Sequence, residues 1–582
     1  MRAIAVLAAL VLAAGEALSD HYYFDPEKGD DANSGRTEAE AFCSPAPLAA
    51  LSLRPGDVVH LRRGGTFRGP LSFSGDGTEG SPVRITAYGE GPKPEILGSI
   101  VPDQWELEAD GSFRTQVPPE RFVGRRNVYG VYEYDGPLPR RLLKADSRPL
   151  ERGRFLFDEQ RSMLWVATAD GSPPTQHRIE VSVVEQLVDL TGRHHLELTD
   201  LAFLFGNCRH LVLSGCNDVT VRNCASLFVG YYGNPNVCLV RDSTRVRLLD
   251  CFLYDSANCG VFISSGATEN EVAGCTIAKC TSNDGVTCHS GGRDANGVVQ
   301  GITGNRNTIR DNVIGLCPEE SIDITSGDYH LVSGNLCYGN GNPGIIVGHD
   351  ADHIRIDNNI CFRNARSGIQ VASNTGEGGT GYIEVTRNLV YDNGYPGLEI
   401  QSPYTSVLNN TVVDSRERVA VRVNEASVGS FLRNNLILTL DPTIPHASLQ
   451  FISCTPASLQ ASLSHNLFFH AGRQATGAAD LVVTDEGRFT LESFVAKYAT
   501  GDHSLLAEPL LTGLAERLYL LTPDSPAVDA GVDVGLPYTG TAPDLGWQEL
   551  GSERDVPRYP RFLIDGTDDD EKVLALWGKH AG

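Results

Sequence analysis

Four carboxylates in two short segments have the types and spacing to handle protons. Asp284 lies in N-D-G (283–285), and Glu319, Glu320 and Asp323 lie in E-E-S-I-D-I-T-S-G (319–327). Like-charged carboxyls held close together drive one pKa upward, leaving an acid and a base in one place. Glycosidic cleavage needs that division: one carboxyl protonates the leaving oxygen, and the other attacks or activates water. His289, His349 and Asp350 are the neighbouring candidates for substrate or proton handling, and Arg293 is the candidate grip for an anionic sugar. Asp284 and Glu320 are 36 positions apart in the chain, so the chemistry depends on a fold that brings them together.

The sequence between Asn307 and Ser373 supplies such a fold. A pattern repeats of an Asn, an apolar pair, a polar turn, a Gly or Ser, and an apolar-x-apolar strand. Asn312, Asn335 and Asn359 recur at intervals of 23 and 24 residues. A period in this range marks a solenoid whose coils bury their apolar sides only by stacking. Short period-2 strands between turn residues make each coil β. The expected fold is all-β, a right-handed parallel β-helix with N- and C-terminal caps and a β-rich side insertion. Anchors continue at Asp200, Asn223, Asp250, Gly274, Asn388, Asn410 and Asn435, and stacked Asn amides are expected to bond along the column. The widest interval, Gly274 to Asn312, adds about a dozen residues near Ser290–Arg306, and long loops on rigid scaffolds commonly carry function.

Aligning the coils on their strands sets a register. Val286/Cys288, Ile322/Ile324, Ile345/Val347, Ile369/Val371 and Leu398/Ile400 point inward, and Thr287, Asp323, Ile346, Gln370 and Glu399 point outward. Coils stack at about 4.8 Å, so Asp284 and Glu320 become neighbours facing solvent, with Asp323, Glu319 and His289 close by and His349 one coil further.

Composition agrees with a solenoid. The chain has 582 residues, 61 glycines and a formal net charge of −25, which argues against nucleic acid or an anionic membrane surface as partner. Residues 1–19 read as a secretory signal, Arg2 followed by an apolar run too short to span a bilayer. The expected location is therefore secreted or extracellular, periplasmic or cell-surface in a bacterium, and the expected state is a monomer. Fourteen cysteines in an exported chain allow disulfides, but Cys317, Cys337 and Cys361 recur near coil spacing and favour stacked free thiols. The segments divide as 20–100 (cap and first coils), 101–180 (insertion), 181–470 (helix body) and 471–582 (C-terminal cap and tail).

The segments Y-Y-F-D-P…G-D-D-A-N-S-G (22–35), L-R-P-G-D-V-V-H-L-R-R-G-G-T-F (53–67) and G-S-P-V-R-I-T-A-Y-G-E-G (80–91) resemble the start of secreted proteins of the pectate-lyase-like, right-handed β-helix superfamily. The succession N-D-G, E-E-S-I-D and G-N-P-G also resembles the polygalacturonase family, which carries N-T-D, D-D, G-H-G and R-I-K on successive coils. By that resemblance Asp284 and the Glu319/Glu320 pair match the first two acidic motifs. Pro343 stands where the family has His, and Gln370-Val-Ala372 replaces R-I-K. The expected function is glycoside hydrolysis of a polysaccharide or oligosaccharide with no cofactor. The alternatives are a lyase, with Ca²⁺ on the acids and a Lys or Arg base, and a non-catalytic glycan-binding β-helix.

Overall fold

The computed structural model describes residues 19–552, apart from 135, 137, 231–237, 290–303, 373–380, 417–418, 446, 453–461 and 475–480, together with 562–563, 572–573 and 575. Among these, three long sheets of 14, 14 and 13 strands run the length of the molecule. Each coil contributes one strand to each sheet, and successive coils pair in parallel. No helix among the described residues is long and apolar enough to cross a membrane.

The sheet that concerns function contains β1 (Val261–Ser264), β2 (Val286–His289), β3 (Ile322–Asp328), β4 (Ile345–Asp352), β5 (Ile369–Val371) and β6 (Leu398–Ile400). Val286, Ile322, Ile345, Ile369 and Leu398 pair in one row, and Cys288, Ile324, Val347, Val371 and Ile400 in another. All ten are fully buried, as the alignment of coils requires. The β-branched majority suits a pleated, tightly stacked wall.

Asn312, Asn335, Asn359, Asn388, Asn410 and Asn435 form a continuous amide ladder that ends on Asn466. Each Nδ2 donates to the next Oδ1 at 2.9–3.0 Å, and that oxygen also accepts the backbone N–H of the preceding coil's Asn. Toward the N-terminus the same column continues as Cys275, whose N–H reaches Asn312 Oδ1, and then Cys251 and Cys224. The expected anchors Asp200, Asn223, Asp250 and Gly274 stand one residue earlier in the turn. They occupy its left-handed position, with φ of 60°, 50°, 55° and 65°, where Gly, Asn and Asp cost least. A second ladder, Asn340–Asn364–Asn393, runs through another turn of the same coils.

The 13 described cysteines are free, and all but Cys43 are buried. Cys337 and Cys361 pair across adjacent coils, but Cys317 lies in a different column, the turn where its N–H meets Asn340. A thiol reagent is therefore expected to reach Cys43 first, and all 14 thiols only after denaturation without reductant. A shortfall in the denatured count would reveal disulfides.

The solenoid continues straight across the side insertion: Val83–Tyr88 pairs directly with His194–Thr199, and Glu95–Leu97 with Ala202–Leu204. Between them, residues 99–182 build a 4-stranded and a 5-stranded sheet. The insertion is fastened through Tyr132, fully buried against Phe205 and Phe228, with its hydroxyl donating to Phe228 O at 2.7 Å. Its aromatic residues thus include core, and Tyr132 and Trp165 are both buried.

At the far end, α1 (Leu491–Tyr498) starts at Thr490, whose hydroxyl accepts Ser493 N–H, and stops at Ala499 with φ 51°. Phe494 stacks on Phe451 at 5.6 Å and closes the solenoid core. Thr490→Ala is expected to cost about 1 kcal/mol, read as a lowered denaturation midpoint. By sequence, Ser525–Gly531 and Pro543–Gly546 are expected to cover the open end of the sheets, but they lie along the flank, where Gly546 N–H donates to Asn434 O. Ala527, Leu545 and Trp547 join one buried apolar cluster with Leu336, Tyr338, Phe362 and Tyr391, whose strands are apolar on both faces and need a partner on the outer one. Asn409, first residue of the sequon Asn409-Asn-Thr411, is buried beneath this segment and donates to Asp544 O.

Candidate active site

The acidic residues meet where the chain turns into β2 and β3. Asp284 precedes β2 in the same position that Glu320 precedes β3, and the parallel pairing of the two strands stacks them. Asp284 Oδ1 accepts the N–H of Glu320 at 3.0 Å, and Oδ2 accepts the hydroxyl of Thr287 at 2.7 Å. One carboxylate oxygen from each of Asp284, Glu319 and Glu320 lies within 4.8 Å of the others. Asp323 is directly beside Thr287 in register, and its Oδ1 is buried with no hydrogen-bond partner.

Asp284 and Glu320 were expected to face solvent, yet they are only 2 % and 8 % exposed. Asp284 is covered, with its two oxygens satisfying a hydroxyl and a backbone N–H that would otherwise go unpaired. Thr287 and Glu399, expected in the outward column, are likewise buried. Glu319 is the exposed member of the group and forms its solvent edge.

Burial sets the protonation. Glu320 is pushed up to about 8, chiefly by loss of water, then by its hydrogen bond to Asp284 and the negative charges of Asp284 and Glu319. Asp323 is also raised well above the usual carboxylate range, by burial and by the same three neighbours. Glu319 is raised by burial and by Asp284. At neutral pH Glu320 therefore keeps its proton beside Asp284, an acid poised to give it up.

The remaining candidates are more dispersed. His289 ends β2 and stacks on Phe262 at 6.2 Å. His349 is exposed on β4 with φ 54°, three residues beyond Ile346, the register partner of Asp323. Asp350 pairs with Ser326 past a bulge that follows Ile324, so both lie along the strand from the carboxyl group rather than in it. Arg293 falls outside the described residues. Glu399 is already neutralised: it accepts from Ser367, Gln401 and Arg422 at 3.1, 2.8 and 3.1 Å. Thr287 was not singled out as a site residue, although it stands beside Asp323 in the outward column. A hydroxyl three residues after an acid in a turn was the available signal.

The chain is a right-handed parallel β-helix protein by its topology, and the model of right handed beta helix regions matches residues 299–437. No curated protein matches the sequence. Among solved structures, the complex of XylC with xylose superposes with a TM-score of 0.51 at 10% identity, covering 84% of this chain and 87% of that one. A mannuronic acid specific polysaccharide family 6 lyase from human gut microbiota gives 0.41 at 14% identity, covering 78% and 81%. Pectate lyase Pel9A gives 0.36 at 15% identity, covering 92% and 97%. At such identities the likeness is one of fold.

Proposed function

We propose that this protein is an exported carbohydrate-active enzyme, a glycoside hydrolase in which Glu320 is the proton donor and Asp284 its partner carboxylate. The observation that carries the reading is the contact between a carboxyl held protonated near neutral pH and a second carboxyl one coil away. Asp323 supports the pair by adding negative potential, and Glu319 offers the exposed edge at which a sugar hydroxyl can bond. The fold shared with the complex of XylC with xylose supports a sugar as the substrate class.

Elimination is less well served. It needs a Lys or Arg base for the sugar proton; Lys279, the one lysine of the helix body, has its ammonium over the Tyr254 ring at 5.6 Å, on a different sheet, and Arg293 falls outside the described residues. The burial of Asp284 and Glu320 favours a second reading, a non-catalytic glycan-binding β-helix in which the pair is structural. Digestion of a broad glycan panel separates the three. Hydrolysis is expected to release reducing ends from one glycan without an unsaturated, ultraviolet-absorbing product, and to be lost in Asp284→Asn. An unsaturated product abolished by chelator points to a lyase with Ca²⁺ on the acids. Binding without cleavage points to the second reading.

A further inference from the structure

The carboxyl pair stands in the turns that lead from Thr276–Ala278 into β2 and from Val313–Gly315 into β3. Earlier coils have the same turn at 205–208, 228–230 and 255–260, and every residue of these three stretches is buried. The side insertion lies across them. Asn207 donates to Asn127 O at 2.6 Å and accepts Tyr129 N–H at 2.8 Å, and Tyr132 packs on Phe205 and Phe228. Farthest along the axis, Arg141 donates to Val229 O at 2.6 Å and to Asp255 O at 3.0 Å, and its guanidinium faces the Asp255 carboxylate at 3.3 Å. Arg141 and Asp255 are only 16% and 6% exposed, so parting them would strand a buried charge, and this end of the insertion is held firmly.

Past Asp255 the same turn opens to solvent. Turn 279–285 stacks directly on 255–260, with Thr281 N–H on Ser256 O at 2.8 Å and the Ser282 hydroxyl on Ala257 O at 2.7 Å, yet Thr281 and Ser282 are exposed. Pro318, Glu319, Gly341, Ala365 and Arg366 continue the exposed strip over the next three coils. Arg366 sits over the Tyr395 ring at 5.9 Å, so a guanidinium and an aromatic ring are displayed together two coils past Glu320, ~10 Å along the axis. Asp284 therefore belongs to the first open coil, ~4.8 Å from the last covered one. A linear polymer laid on the strip can run toward later coils, but on the other side it meets the insertion one coil before Asp284.

We propose, resting on the hydrolase reading, that the enzyme acts from a chain end, with the insertion and its Arg141 as the wall that stops the terminal sugar over the Asp284–Glu320 pair and the 318–366 strip as the track for the rest of the chain. The probes are the linear xylan, glucan, mannan, galactan, polygalacturonate and alginate of the digestion panel, with the oligosaccharide series of whichever is cleaved. Wild type is expected to release one product of fixed small size from the first time point, with little fall in viscosity. Capping one terminus of the oligosaccharide should slow cleavage at least about tenfold, and capping the other should not. Arg366→Ala, a change at an exposed turn, should keep the wild-type thermal transition and raise KM at least about threefold for long chains but not for the shortest one cleaved. A spread of internal fragments, indifference to both caps, or an Arg366→Ala enzyme equal to wild type at every length overturns the proposal and leaves the hydrolase reading standing. No cleavage of any panel glycan by wild type overturns both.

Discussion

Glu320→Gln is expected to lower kcat on the cleaved glycan by about 10²–10⁴-fold, the usual contribution of a general acid, with KM little changed. Gln keeps the volume and can still bond Asp284, but it has no proton to give to the leaving oxygen. The wild-type rate should fall as pH rises through about 8, where Glu320 ionises, and that basic limb should vanish in the variant's residual activity. Stability carries the same signature. Glu320 holds its proton in the folded chain to about 8, well above its unfolded value, so the native state binds more protons between those two points. Its contribution is complete below the unfolded pKa, declines through that window, and is lost above the folded one. Asp323, raised in the same direction, adds to the slope. Wild type should therefore melt lower at alkaline than at mildly acidic pH, and Glu320→Gln should flatten that dependence and melt higher than wild type above the folded pKa. A full-rate Glu320→Gln enzyme would remove the residue from the mechanism. A flat wild-type melting profile would remove the protonated carboxyl itself.

Asn359→Ala is expected to destabilise the folded protein by roughly 4 kcal/mol or more. Asn359 Oδ1 accepts both the N–H and the Nδ2 of Asn335, and its own Nδ2 donates to Val332 O and Asn388 Oδ1. Alanine strands the two Asn335 donors and loosens two acceptors in a turn closed to water, and each orphaned group costs about 1–3 kcal/mol. Asn359→Asp is a sharper control. It restores the acceptor for Asn335 but removes the donor and buries a charge against Asn388 Oδ1, so it should be no milder than alanine. Chemical denaturation of a solenoid can proceed by sections, so the midpoint should be read by probes at both ends. A loss below about 1 kcal/mol would mean that water replaces the amide, contrary to the ladder's burial.

The distribution of what was legible follows from periodicity. Strand faces alternate every two residues and coils recur near 24, so Ile322-x-Ile324 and Ile345-x-Val347 could be laid in register by inspection, and the structure pairs them that way. The Asn column could be read because each member repeats one role, bonding its own copy in the next coil. Its start could not: Asp250 and Gly274 look like column members, yet they occupy the left-handed turn position, and the inward position belongs to Cys251 and Cys275. Either residue suits a turn, and only the backbone angle tells the two positions apart. The flank covered by Ala527 and Trp547 was misplaced for a similar reason, since an apolar strand of three residues does not say which face lacks a partner.

By itself the sequence determined the coil, its register, and which acids stand next to each other, because these are properties of a repeating local pattern. Only the tertiary structure decided that Asp284 folds back onto Thr287 and the Glu320 N–H, that both acids are covered, and that Glu320 keeps its proton near neutral pH. Those outcomes depend on how much water reaches each oxygen and which donors face it. Such quantities are set by atoms distant in the chain and have no periodic trace.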